Sequence, residues 1–175
     1  MKKIVIVLAV LFSAVFSSCE GPQGIPGQNG LDGQDGFLSE VFELKNINFD
    51  TEFIIRRRLT PPIFAADAIL IYRLSGLIDE NDTKPIWQPI PRTIFFDNGD
   101  EFDYDFDFSK EDFTIYAKGN YNILTTPNLI YDQTFRIVIL PGYFSGKSKK
   151  TVDLSDYNAV IKAFKIDERN VKILN

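Results

Sequence analysis

The chain has 175 residues, 45% of them hydrophobic, with 16 Phe and 7 Tyr, enough for one domain with a substantial core. It has no His and one Cys, which excludes a Ser-His-Asp triad, a Cys-His pair, His-ligated zinc and an intrachain disulfide. The formal net charge is −5, so the chain has no general attraction for phosphate backbones and nucleic acid is not an expected partner.

The first predicted element is an export signal over residues 1–18, MKKIVIVLAVLFSAVFSS. Lys2 and Lys3 form the basic start, Ile4 to Phe16 the apolar stretch, and Ser17 and Ser18 the small residues before a cleavage point. The apolar stretch is shorter than the roughly 20 residues a spanning helix needs. Cys19, the sole cysteine, follows at once. Phe16-Ser17-Ser18-Cys19 resembles a bacterial lipobox, with Phe where Leu is usual. That resemblance implies cleavage before Cys19 and acylation of its thiol with palmitate-type chains. Two or more chains anchor stably where one binds only marginally. The expected partner is thus a membrane, reached through Cys19. With Lys2 and Lys3 removed, 17 basic residues face 24 acidic ones, a net charge of −7.

Residues 19–36 form the next segment. Gly falls at 21, 24, 27, 30, 33 and 36, every third position, as a collagen triple helix requires. Only Pro22 and Pro26 supply ring-fixed dihedrals in the repeat, and the ordering entropy of Gly-rich chain is large. An extended tether, reaching about 45 Å at roughly 3.1 Å per residue, is favoured over a homotrimeric triple helix. The glycines do not make a dinucleotide loop, since neither a preceding strand nor a following helix is expected. No phosphate-binding loop is present and no cofactor is expected.

The lipobox, the short Gly-x-y stem opening Cys-Glu-Gly-Pro and the aromatic-rich β region that follows are similar to the small collagen-like-repeat lipoproteins of Gram-negative bacteria. The match covers residues 1–36. It implies an exported protein anchored in the cell envelope and carries over one functional residue, Cys19. The expected location is the outer membrane.

Residues 37–175 read as a β-rich globular domain. Strands are expected over 41–49, 53–59, 68–74, 93–96, 101–108, 113–118, 121–125 and 134–140, with prolines between them. In IFFDNGDEFDYDFDF, a two-residue turn at Asn98-Gly99 places Phe95 opposite Phe102 and Arg92 opposite Asp105. Phe102, Tyr104, Phe106 and Phe108 then share a core face, and Glu101, Asp103, Asp105 and Asp107 the other. A second hairpin at Lys118–Tyr121 would set Ile115 against Leu124. Near the end, Ser155 or Asp153 is expected to cap a helix carrying Tyr157, Val160, Ile161 and Phe164. Residues 171–174 form a last strand or a docked tail. The expected class is mainly β, an antiparallel β-sandwich-like domain with one C-terminal helix.

Candidate sites are few. Carboxylates alternating on a strand lie about 6.6 Å apart, too far for one calcium ion to collect three of them, so no metal site is expected. Asp79–Asp82 lacks the spacing of a calcium loop. Arg56 and Arg58 share one strand face, Arg57 the other. They are candidates for anion or acidic-glycan contact, or for pairing with the acidic strand. Trp87, between Pro85 and Pro89, is a candidate sugar-stacking platform, or else core. The expected role is binding, of a glycan or an envelope protein, or structural, and not catalytic. The alternatives are a carboxylate-based glycan hydrolase, which needs only an acid and a base, and a trimeric stalk.

Overall fold

The chain divides into two units, Met1–Gln34 and Asp35–Asn175. The computed structural model describes residues 39–77, 84–142 and 152–174, all in the second unit. The leader, Cys19, the Gly-x-y stem and Asp79–Asp82 lie outside the described residues.

The described chain is mainly β. The first sheet is ordered β4-β3-β8-β1-β9, from β1 (Glu40–Ile47), β3 (Ala68–Leu77), β4 (Pro85–Ile90), β8 (Gln133–Leu140) and β9 (Lys172–Ile173). The second is ordered β2-β7-β6-β5, from β2 (Ile54–Arg58), β5 (Arg92–Phe95), β6 (Glu101–Phe108) and β7 (Asp112–Gly119). Every pairing is antiparallel except β1 with β9. Pro91 alone separates β4 from β5, which belong to different sheets.

One hydrophobic cluster draws on both sheets: Leu44, Ile69, Ile71, Phe135 and Ile137 from the first, and Ile55, Phe102, Tyr104, Phe113 and Ile115 from the second. This face-to-face arrangement is what a sandwich-like domain requires. The other face of the first sheet is also covered. Helix α1 (Tyr157–Phe164) and the turns beside it pack Tyr157, Val160 and Ile166 against Val41, Tyr72, Val138 and Leu140. The burial of β8 follows: every residue but Arg136 is buried, so its sequence runs apolar instead of alternating. The Tyr72 hydroxyl donates to the Leu154 carbonyl at 2.7 Å and ties the turn before α1 to the sheet.

β6 has the expected period of two. Its aromatic face loses cover along the strand: Phe102 and Tyr104 are buried, Phe106 is half-buried and Phe108 is 43% exposed. The β5–β6 hairpin corrects the expected register by one residue. Phe95 faces Glu101, Ile94 faces Phe102 and Arg92 faces Tyr104. The loop has three residues, not two. The Gly99 N–H donates to the Phe96 carbonyl, and the Phe96 N–H to the Asp100 carbonyl. Only Gly99 has positive φ, at 87°. A turn followed by one left-handed residue is the common three-residue solution.

Residues 121–125 are not a strand. Ile123–Thr125 and Pro127–Leu129 are short 3-10 turns, Asn122 accepting from the Leu124 N–H at 3.2 Å. Ile123 enters the core while Leu124 is exposed, and Ile115 pairs with Ile55 and Phe106 instead of Leu124. β4 was not anticipated, because Pro85 and Pro89 read as punctuation. It is an edge strand, where alternate N–H groups have no ladder partner and proline is tolerated. The helix cap is Asp156, which accepts from the Asn158 and Ala159 N–H groups. Asp153 instead accepts from the Ser155 N–H and hydroxyl, one turn earlier.

Candidate functional site

Trp87 lies on β4, on the helix-covered face of the first sheet. It is half-buried, its ring 5.6 Å from that of Tyr157 and 4.4 Å from the Arg136 guanidinium carbon. Its indole Nε1 is buried without an acceptor among the described residues. Arg136 is the hub of this face. It pairs with Glu43, directly across from it on β1, at 3.1 Å, and with Glu168, and it donates to the Tyr157 hydroxyl. Burial lowers the Arg136 pKa, but Tyr157, Glu43 and Glu168 more than offset it, leaving it above the ordinary value.

Arg56 and Arg58 lie elsewhere, on the outer face of the second sheet. Arg56 Nε donates to the Thr114 hydroxyl at 3.2 Å, and Arg58 stands across from Asp112. Arg57 points to the other face and donates to the Arg56 carbonyl. β7 separates these arginines from β6, and none of the three forms an ion pair among the described residues. The structure therefore does not bring Trp87 together with Arg56 and Arg58.

The acidic face of β6 is spent on local bonds. Asp103 accepts from the Thr93 hydroxyl at 2.6 Å, Asp107 from the Tyr116 hydroxyl at 2.7 Å, and Asp105 from the Phe106 N–H. Among the described residues, no group of three or more His, Cys, Asp or Glu is placed to hold a metal ion.

Several clefts among the described residues have the size of ligand sites, and two of them are set apart by their linings. One, about 520 Å³, is apolar, with Phe42, Leu59, Pro62, Ile63 and Leu174 in its lining; Lys172 and Glu40, paired at 2.9 Å, also line it. The other, about 590 Å³, lies where β3 passes the segment leading into β8. Arg73, Ser75, Asn128, Asp132 and Gln133 line it.

Comparison with family models, with curated proteins and with solved structures finds no match for this chain. The chemistry of the site rests on its geometry.

Arg73 is the unusual group. It is in phase with Ile69 and Ile71 on the core-facing side of β3, and its guanidinium carbon lies 4.9 Å from the centre of the Tyr104 ring. Arg73 Nε donates to Gln133 Oε1 at 2.7 Å. The buried Gln133 is fixed in turn, its amide donating to the Asn128 and Tyr131 carbonyls at 2.9 and 2.5 Å. The Tyr104 hydroxyl donates to the Leu129 carbonyl at 2.6 Å, so Gln133 and the ring beneath Arg73 are tied to the same segment. Burial lowers the Arg73 pKa and raises that of Tyr104. Arginine nevertheless stays charged at any physiological pH.

Sequence reading missed Arg73 and Gln133. The signal was present as a cation in the core phase of the apolar run AILIYR, but its neighbours are 31 and 60 residues away in the chain.

Proposed function

We propose that the protein is an exported lipoprotein, acylated on Cys19 at the outer membrane of a bacterial envelope. It displays a β-sandwich-like domain on its Gly-x-y stem, and the domain binds and does not catalyse. The observation that carries the anchor is the position of the sole cysteine, immediately after an apolar leader and two small residues. Among the described residues no helix is long and apolar enough to cross a membrane. In this reading the attachment is the acyl chains on Cys19.

The binding reading over the hydrolase reading is supported by the carboxylates. No described Asp or Glu is buried, and Glu43, one of the less exposed, is held by Arg136. A glycosidase needs one acid with a raised pKa facing a second carboxylate across a cleft.

Metabolic labelling with an alkyne fatty acid tests the anchor. The wild-type chain takes up label and the Cys19→Ala chain takes up none. Equal labelling of the two would remove the lipoprotein reading.

A further inference from the structure

We propose that the Arg73 cleft is a binding site for a small carboxylate, held by the outer fork of the Arg73 guanidinium. This inference rests on the binding reading of the domain and not on the anchor at Cys19.

A charged group taken partly out of water ordinarily meets an opposite charge, because desolvation costs more than neutral contacts return. Arg136 shows the ordinary case, with two carboxylates on it. Arg73 has none within 4 Å among the described residues, and its contacts are a Gln133 oxygen and the face of Tyr104. A second cation, Arg92 of β5, acts on it unfavourably. Gln133 engages Nε, and the Tyr104 hydroxyl is the other polar neighbour of the guanidinium; among the described residues neither partner carries a negative charge. Arg73 lines the open cleft, and none of its nitrogens is buried without a partner.

The site is also held in shape. Tyr104 supports the guanidinium from below, and Gln133 fixes one edge while tying down the 128–131 wall. Such rigidity lowers the ordering cost of binding. Two parallel N–H groups of a guanidinium match the two oxygens of a carboxylate. The charge balance selects the class. One cation faces the cleft, and the rim carries the exposed Asp132, so a monoanion fits better than a phosphate dianion.

Sodium acetate titrated at constant ionic strength against the full chain in detergent tests the proposal. The readout is the NMR signals of the Arg73 Nε–H and the Gln133 side-chain amide. Both should shift saturably, and Arg73→Met should abolish the response. Asp132→Asn leaves the fold alone, since Asn tolerates the φ of 53° found there. It should tighten acetate by about twofold to fivefold, the worth of one exposed charge. Three results would overturn the proposal: no saturable shift at Arg73, an acetate response indifferent to Asp132→Asn, or tighter saturation by inorganic phosphate than by acetate.

Discussion

The outer face of the first sheet lies beneath α1, while the outer face of the second meets solvent. Both sheets use the same alternation on β strands, yet the charges on the two faces behave differently. Under the helix, Arg136 is fixed by Glu43, Glu168, Tyr157 and Trp87. On the open face, Asp103, Asp105 and Asp107 stand in a row with only local hydrogen bonds, and water does the rest. A charge in a covered place needs a partner, and a charge in an open place does not. Arg73 fits neither description: it is partly covered and has no counter-charge among the described residues.

Substitutions on the shared inner face, the covered outer face and the open outer face separate these environments. Phe135→Ala empties a site that is fully buried between the sheets and should cost about 3–5 kcal/mol in urea unfolding. A loss under about 1 kcal/mol would mean the two sheets do not share this core. Arg136→Ala should cost about 2 kcal/mol, mainly by stranding Glu43, whose side chain is 15% exposed; Glu168, at 43%, adds little. Asp156→Ala removes two N-terminal hydrogen bonds from α1 and should cost about 1 kcal/mol. On the open face, Asp105→Asn should change stability by less than about 0.5 kcal/mol. An effect as large as that of Arg136→Ala would erase the distinction between the two outer faces.

Alkaline titration sharpens the same contrast. Burial raises the phenol pKa values of Tyr72, Tyr104 and Tyr157 above the ordinary 10.0. A folded pKa above the unfolded one gives stability that is complete below pH 10 and is lost as the pH rises through the folded value. Absorbance at 295 nm should therefore show these three tyrosines ionising only with unfolding. Substituting each by Phe should leave the native-state titration below that transition unchanged.

Much of the β content was legible because strands alternate. β6 announced itself through Phe102 and Tyr104 against Asp103 and Asp105. α1 was legible in Tyr157, Val160, Ile161 and Phe164, though its cap is Asp156, one residue after Ser155 and three after Asp153, the two expected. The failures have physical causes. A three-residue loop and a two-residue loop share the Asn98-Gly99 signal, and only the bonding of Phe96 tells them apart. Prolines exclude a central strand but not an edge, so β4 was hidden. Ile123 looked like strand alternation but fills the core from a 3-10 turn. The Arg73 cleft was illegible because Gln133 reaches it through the pairing of β3 with β8 and Tyr104 by packing from the other sheet, both distant in sequence.

The anchor at Cys19 is tested most directly by the intact mass of the mature chain recovered from the bacterial envelope. The proposal predicts a polypeptide beginning at Cys19 that carries the added mass of its acyl chains. A chain that retains the leader, or one whose Cys19 is a free, unmodified thiol, would contradict it.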